Sequence, residues 1–325
     1  MDHTLRVIAG IAVFASGFAV FFEPRRAPWL VGASLALALV SLGRAKRAAR
    51  GMALGGAVVW ATIAVGLGIV SQVVAATEPL ASGRPIAGHW AYLATLALLA
   101  ALISVLNART PGGKAWAILM ALLVVVFLIP WLEGPGLRRA FAGSGQLRLE
   151  SPWTIFYGLL VLAGVTNFLP TRYAGAAVLL AVGFVAEYVG LTREVAPPRL
   201  AALWSVLPWS IAAAVWVARG KARAPAHARG RLEEVWLWFR DHWGVVWALR
   251  VMERFNRAAE AQRWPLRLTW HGVVMIPGSD ALTPADDEAA ARLLIGLLRR
   301  FAEPSRLEEA AGIAIGRPCE SSNLG

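Results

Sequence analysis

Long apolar stretches recur along the first two thirds of the chain, each broken by a short cluster of charged, proline or glycine residues. A helix needs about 20 mostly apolar residues to cross roughly 30 Å of hydrocarbon. Eight stretches approach that length: residues 5–22, 28–43, 52–76, 90–107, 115–132, 152–169, 173–191 and 200–218. The second is short for a full crossing, and the third is long enough to tilt. None shows the alternating ten-residue pattern of a membrane β-barrel. The pattern predicts an all-α integral membrane bundle of about eight transmembrane helices, since lipid leaves a spanning backbone few other ways to satisfy its polar groups. The first stretch reads as a retained helix, not a cleaved signal peptide: Glu23-Pro24-Arg25-Arg26 follows it and no clear small-x-small site does.

The period then changes. Residues 219–231 form a polybasic linker, and from Leu232 apolar residues fall at helical spacing: Leu232, Val235, Trp236, Phe239, Trp243, Val246 and Trp247, with Glu233, Glu234, Arg240 and Asp241 opposite. Trp236, Phe239, Trp243 and Trp247 make this face the candidate docking surface of the tail. The acidic-leaning polar side argues for packing within a cytosolic domain over lying in the membrane interface, where Lys and Arg are usual. The helix is expected to run to Arg263, with Glu253 and Arg257 paired one turn apart. Leu266, Leu268 and Trp270 then alternate with polar residues as a strand, and 273–276 offers a second. Thr283-Pro284 opens a helix with Leu293, Leu294, Leu297, Leu298 and Phe301 as its buried stripe. Ser305-x-x-Glu308 reads as a capping box for a last short helix. The expected organisation is a transmembrane domain over 1–218, the linker over 219–231, a small cytosolic α or α+β domain with a short hairpin over 232–316, and a frayed tail over 317–325.

Composition fits this division. Of the 325 residues, 58% are hydrophobic and 16% charged, against about 25% charged in a typical soluble domain. The net +12 is unevenly placed: residues 1–231 hold 21 Lys/Arg and 7 Asp/Glu, giving +14, and the remainder carries −2. The basic excess therefore belongs to the membrane part, which excludes a nucleic-acid binder. With the N-terminus inside, inner loops hold 13 basic residues and outer loops 8. The positive-inside rule then places both termini in the cytoplasm, and a composition rich in Ala, Gly and Arg suggests a bacterial inner membrane. Tryptophans at 29, 90, 116, 131, 153 and 216 lie near the expected interfaces. The linker's five cations fit anionic lipid as well as topology. No internal repeat of the kind that marks many transporters is visible.

Candidate chemistry is sparse. Glu187 is the one clear ionisable residue within a span, and such residues are candidate functional sites. It shares a small-residue face with Ala176, Gly183 and Gly190. In the eighth segment Ser205, Pro208, Trp209 and Ser210 lie near mid-membrane, where a proline frees a carbonyl. Together Glu187, Ser205, Pro208 and Trp209 form a candidate intramembrane polar site, with Trp204 as a second possible wall. Gln72, Asn107 and Asn167 are expected to make interhelical or capping bonds. The loop after Glu133 carries Arg138, Arg139 and Arg148, which would suit a phosphate or lipid headgroup. None of the five histidines is central in a span, which argues against bis-histidine haem. There is no zinc motif, P-loop or serine elbow. The lone Cys319 has no disulfide partner, and adjacent Glu233-Glu234 and Glu308-Glu309 read as solvated or capping charge. No catalytic residue, metal or cofactor is expected. A dense run from Phe239-Arg240-Asp241-His242-Trp243-Gly244 to Asn256 looks specified beyond a generic helix, without indicating a chemistry.

Three functions are compatible with this inventory. The first is a non-catalytic scaffold, assembly factor or complex subunit docking a protein partner through its cytosolic tail. The second is a transporter for an apolar or weakly polar solute. The third is a membrane-embedded transferase or hydrolase using the arginine-rich outer loop.

Overall fold

The computed structural model describes residues 3–108, 114–133, 147–221, 231–277 and 283–310. The chain divides into two compact units. Among the described residues the first contains eight helices: α1 (His3–Phe22), α2 (Ala27–Ala48), α3 (Gly55–Thr77), α4 (Pro85–Leu106), α5 (Lys114–Glu133), α6 (Ser151–Thr166), α7 (Ala174–Thr192) and α8 (Pro197–Lys221). Each coincides with one of the apolar stretches.

Five of them, α2, α3, α4, α7 and α8, are long and apolar enough to cross a membrane; the described apolar parts of α1, α5 and α6 are shorter. The protein is thus a helical membrane protein. Two boundaries differ from the sequence reading. The second stretch is not short: α2 spans 22 residues, because Lys46 and Arg47 extend the helix, with their charge at its carbonyl end. Helix α4 begins at Pro85, ahead of residue 90, because the Glu78 carboxylate accepts the Ile86 and Ala87 N–H groups at 3.1 and 2.8 Å and so caps the first turn.

The outside of this unit is apolar at helical spacing. Ile11, Phe14, Phe18 and Phe21 on α1, Ile155, Leu159 and Leu162 on α6, and Val178, Val182 and Val185 on α7 are all exposed. Such continuous apolar faces require a partner or lipid. Helices α4 and α8 are the inner ones: α4 packs on α3, α5, α6 and α8, and α8 on α1, α2, α3, α4 and α7. Close approach is achieved by fitting indoles onto glycines. A Cβ at Gly88 or Gly190 would lie 2.7 or 2.9 Å from the Trp204 ring, and one at Gly17 would lie 2.8 Å from Trp209. Trp204 therefore wedges between α4 and α7, and Trp209 bolts α8 to α1 by donating Nε1–H to the Val13 carbonyl at 3.0 Å.

The second unit contains α9 (Arg231–Ala261), β1 (Leu266–Thr269), β2 (Gly272–Met275), α10 (Pro284–Leu298) and α11 (Pro304–Ala310). It also takes in Gly51–Ala53, which joins α2 to α3, and Ala108, which follows α4. The expected tail domain was a continuous segment; the observed unit is built from three. Ala53 N–H bonds the Phe301 carbonyl at 2.8 Å, Glu303 N–H bonds the Gly51 carbonyl at 2.7 Å, and Met52 faces Ala302 in a one-residue bridge. The Trp243 indole donates to the Ala108 carbonyl at 3.2 Å.

Helix α9 ends at Ala261, close to expectation, but is broken at Gly244, whose φ of 74° and ψ of −169° are not helical. The break re-aims the following turn. Val246, expected on the buried face, is exposed, while Trp247 remains inside. Strands β1 and β2 pair antiparallel through the two-residue turn Trp270-His271, with Leu266 opposite Met275 and Thr269 opposite Gly272. Thr283 caps α10 by accepting the Asp286 N–H at 3.1 Å, and Leu294, Leu298 and Phe301 are buried. Helix α11 starts at Pro304, so Ser305 lies inside it and not at the expected N-cap. The carboxyl-terminal stretch containing Cys319 lies outside the described residues.

Candidate functional site

Within the first unit, the buried polar residues Thr95, Glu187, Ser205 and Ser210 belong to α4, α7 and α8, and α8 packs on both other helices along a seam. The small face of α7 makes the seam narrow: a Cβ at Gly183 would meet Leu207 and Ser210 of α8 at 2.8 and 2.9 Å. One turn further along that face, Glu187 is 1% exposed. Its Oε2 accepts the hydroxyl of Thr95 from α4, which crosslinks the two helices. Two tyrosines lie in electrostatic range of the carboxylate, Tyr92 and Tyr157. Both spend their donors elsewhere, Tyr92 on the Phe127 carbonyl at 2.8 Å and Tyr157 on the Phe184 carbonyl at 3.2 Å. Thr95 is therefore the one side chain that donates to Glu187 among the described residues, and Glu187 Oε1 has no partner there.

Helix α8 contributes further unpaired groups. The indole N–H of Trp204 and the hydroxyls of Ser205 and Ser210 are buried without hydrogen-bond partners among the described residues. Pro208 removes the N–H that would have bonded the Trp204 carbonyl; its ring faces Gly68 of α3. Of the four residues expected to form an intramembrane site, Pro208 is thus turned toward α3, and Trp209 does not share the seam either: its indole is bound to Val13 and packed on Gly17. Ser210 instead faces Gly183, and Trp204 faces Gly190, on the α7 face that carries Glu187. Gln72, expected to bond across helices or cap an end, is fully buried on α3 with neither amide atom partnered among the described residues.

The arginine loop is only partly visible. Arg138 and Arg139 lie outside the described residues. Arg148 is half-exposed and holds Glu194 with both terminal nitrogens at 3.2 Å, so its charge is already engaged by a carboxylate. Glu150 is the N-cap residue of α6. Elsewhere among the loops, Arg84 is buried and donates to the Pro24 carbonyl at 3.2 Å. Desolvation pushes its guanidinium below the usual range, against the pull of Glu78.

Of the basic linker, Arg219 belongs to α8. It donates to the Ser41 hydroxyl at 2.7 Å and lies over the Trp216 ring. Lys221 is exposed, and residues 222–230 lie outside the described set.

In the second unit the four aromatic residues expected to form a docking face are interior. Trp236, Phe239 and Trp243 are fully buried and Trp247 is 3% exposed. Phe239 stacks on Trp243 at 5.1 Å, and Phe301 of the α10–α11 connection meets Phe239, Trp243 and Trp247 edge-on. Large rings bury much apolar area each, and here they share the core with Leu232, Val251, Leu266 and Leu294.

The dense run in α9 is the frame that holds the hairpin. Trp236 donates to the Thr269 carbonyl at 2.8 Å, and Arg240 donates to the Trp270 carbonyl at 2.6 Å while pairing with buried Asp241 at 2.8 Å. Asn256 donates to the Leu268 carbonyl at 2.9 Å and accepts its N–H at 2.8 Å, so the outward backbone groups of Leu268 on β1 are both bound. Glu233, read as solvated charge, instead presses its carboxylate against Gly272, where a Cβ would lie 2.0 Å from Oε1. Glu253 and Arg257 form the expected pair.

Apolar exposure in this unit includes Val246 and Leu249 on α9 and a contiguous run at β2, where Val274, Met275 and Ile276 are 50%, 42% and 48% exposed. Sequence reasoning missed this surface because the strand has too few residues to show a face by alternation. No protein-family model, curated protein or solved structure matches the chain.

Proposed function

We propose that the protein is a non-catalytic membrane scaffold or complex subunit that docks a protein partner through its C-terminal unit. The observation that carries this reading is the exposed, uncharged end of the hairpin at Val274–Ile276, on a unit whose large aromatics are already used internally. Exposed apolar groups on a unit with its own core mark an interaction surface more often than a defect.

The wider reading is an eight-span bundle with both termini in the cytoplasm of a bacterial inner membrane. The exposed apolar faces of α1 and α6 support spans beyond the five long helices. Loop charge supports this orientation, with 13 basic residues on the inner loops and 8 on the outer. Lys221 and the remaining linker cations are suited to anionic headgroups, with Arg219 spent on Ser41.

A transporter for an apolar or weakly polar solute is the second reading, favoured by Glu187 Oε1, which has no partner among the described residues. The transferase or hydrolase reading gains nothing from Arg148, which is bound to Glu194.

A photoreactive amino acid placed at position 274 of the full chain, in native membranes, tests the docking reading. The expected result is a discrete protein adduct that is absent when the same group replaces lipid-facing Leu159. Absence of any adduct at 274 would contradict it.

A further inference from the structure

Gln72 on α3 is fully buried, and neither its Nε2 nor its Oε1 has a partner among the described residues. Its neighbours follow from the packing at two glycines. A Cβ at Gly32 of α2 would meet the Gln72 Cβ at 3.8 Å and nothing else within 4 Å. A Cβ at Gly68, one turn before Gln72, would lie 3.3 Å from Leu35 and 4.0 Å from Pro208 of α8. Helices α3 and α8 run in opposite directions: Pro208 is level with Gly68, while Pro197 and Leu200, at the start of α8, pack on Gly83 beyond the end of α3. The turn of α8 level with Gln72 is therefore the one holding Trp204 and Ser205. Ser205, three residues from Pro208, lies on the same side of α8; it is 1% exposed, and its hydroxyl has no partner among the described residues. The Trp204 carbonyl of that turn is the one Pro208 leaves without its helical N–H. Gly32 itself is half-buried, beside the exposed Trp29 and Leu30 of α2, and Val70 and Val73 are exposed on α3. One glycine thus separates the amide from the apolar outer surface.

We infer that Gln72, Ser205 and the Trp204 carbonyl bind the uncharged head group of an amphiphile that enters from the bilayer past Gly32. The head group is a hydroxyl or an amide. The site offers donors from Gln72 and Ser205, and acceptors from Gln72 Oε1, the Ser205 hydroxyl and the Trp204 carbonyl, so its ligand needs both roles in one small group. None of Gly32, Gln72, Trp204, Ser205 and Pro208 is ionisable, and a charged head brought among them would be desolvated without a counter-ion. The apolar tail follows from the entrance, where Trp29, Leu30, Val70 and Val73 are exposed. Depth agrees. Gly32 is five residues from the start of α2 and Gln72 five from the end of α3, about 7.5 Å along each axis, so a head group sinks below the interface while its tail stays in hydrocarbon. Buried donors and acceptors are costly to leave unmet, and a head group with both roles offsets that cost. The inference does not rest on the docking reading, which concerns the other unit.

Photolabelling of the full chain in liposomes with a diazirine-bearing octanol tests this. On illumination the diazirine loses N2, and the carbene formed inserts into a neighbouring C–H or O–H bond. Adducts are expected on residues 29–36 and 69–76, reduced several-fold by excess plain octanol but not by octane, which has the tail and no head. Gln72→Leu removes the amide, whereas Gly32→Leu fills the entrance and keeps it. Each should lower the displaceable adduct several-fold, with adducts around lipid-facing Leu159 unchanged. Ser205→Ala, the mildest of the three, should lower it less, and the melting temperature of each variant reports whether the bundle stays folded. If Gln72→Leu does not fold, Gly32→Leu and Ser205→Ala decide. Adducts that octanol does not displace, displacement by octane as well as by octanol, or full labelling of Gly32→Leu would each overturn the site. A fixed water alone at Gln72 would leave no displaceable adduct and so overturns it too. The adduct at position 274 bears on docking alone.

Discussion

Among the described residues Glu187 is held by one hydrogen bond, from Thr95, at a seam where two tyrosines are close but committed to backbone carbonyls. If its role is to tie α4 to α7, the Thr95 bond should matter more than the charge. Thr95→Val is expected to lower the thermal stability of the detergent-solubilised protein, since a buried polar group left unmet costs about 1–3 kcal/mol. Glu187→Gln, which keeps an acceptor, should lower it less, and the two changes together should cost less than their sum. Additive losses would separate the two side chains. A selective effect of Glu187→Gln on passage of a solute, at unchanged stability, would move the balance to the transporter reading. In the other unit, Arg240 and Asp241 form a nearly buried pair whose arginine also holds the turn of the hairpin. Arg240→Ala removes this ion pair and the hold on the Trp270 carbonyl, and removing one member of a buried pair costs about 3–5 kcal/mol. Limited proteolysis should then cut first near Trp270-His271; an unchanged cleavage pattern would contradict this role.

At the scale of elements, Gly244 decides how α9 is used. Its φ/ψ is one that only glycine adopts at ease, and strain of that kind costs about 1–3 kcal/mol. Gly244→Ala is therefore expected to straighten or destabilise α9 and to disturb the packing of Trp247 against Phe301, seen as a change in tryptophan fluorescence. A normal spectrum and melting temperature would show that the break is dispensable. Much of this scale was legible in the sequence. Eight apolar stretches became eight helices because hydrophobic runs of that length have few other uses, and Thr283-Pro284 capped its helix as such residues do. What was not legible has physical reasons. The end of α2 was cut short because charge marks the end of hydrocarbon, not the end of a helix. Gly244 sat in a stripe of helical period, which reports the spacing of residues but not the backbone angle of one of them. The aromatic stripe was visible as a face, but periodicity does not say whether a face is a surface or a core. The pairing of Gly51–Ala53 with residues 301–303, and of Thr95 with Glu187, joins positions far apart in sequence with no local trace of the contact.

For the whole molecule, a membrane bundle and a small second unit divide the work. The bundle fits indoles onto glycines, so Gly88→Val or Gly190→Val should drive a side chain into Trp204 and reduce stability by about 1–3 kcal/mol, read as loss of folded protein in mild detergent. The second unit spends its aromatics on its own interior and leaves one strand edge open to others. The most direct test of that division is the mass of the particle extracted from native membranes without prior dissociation, compared between wild type and Val274→Arg. The wild-type chain is expected in an assembly larger than one copy, reduced to a single copy by the arginine while the bundle stays folded. A wild-type chain found only as a single copy without companions, or an assembly indifferent to Val274→Arg, would contradict docking through the hairpin edge.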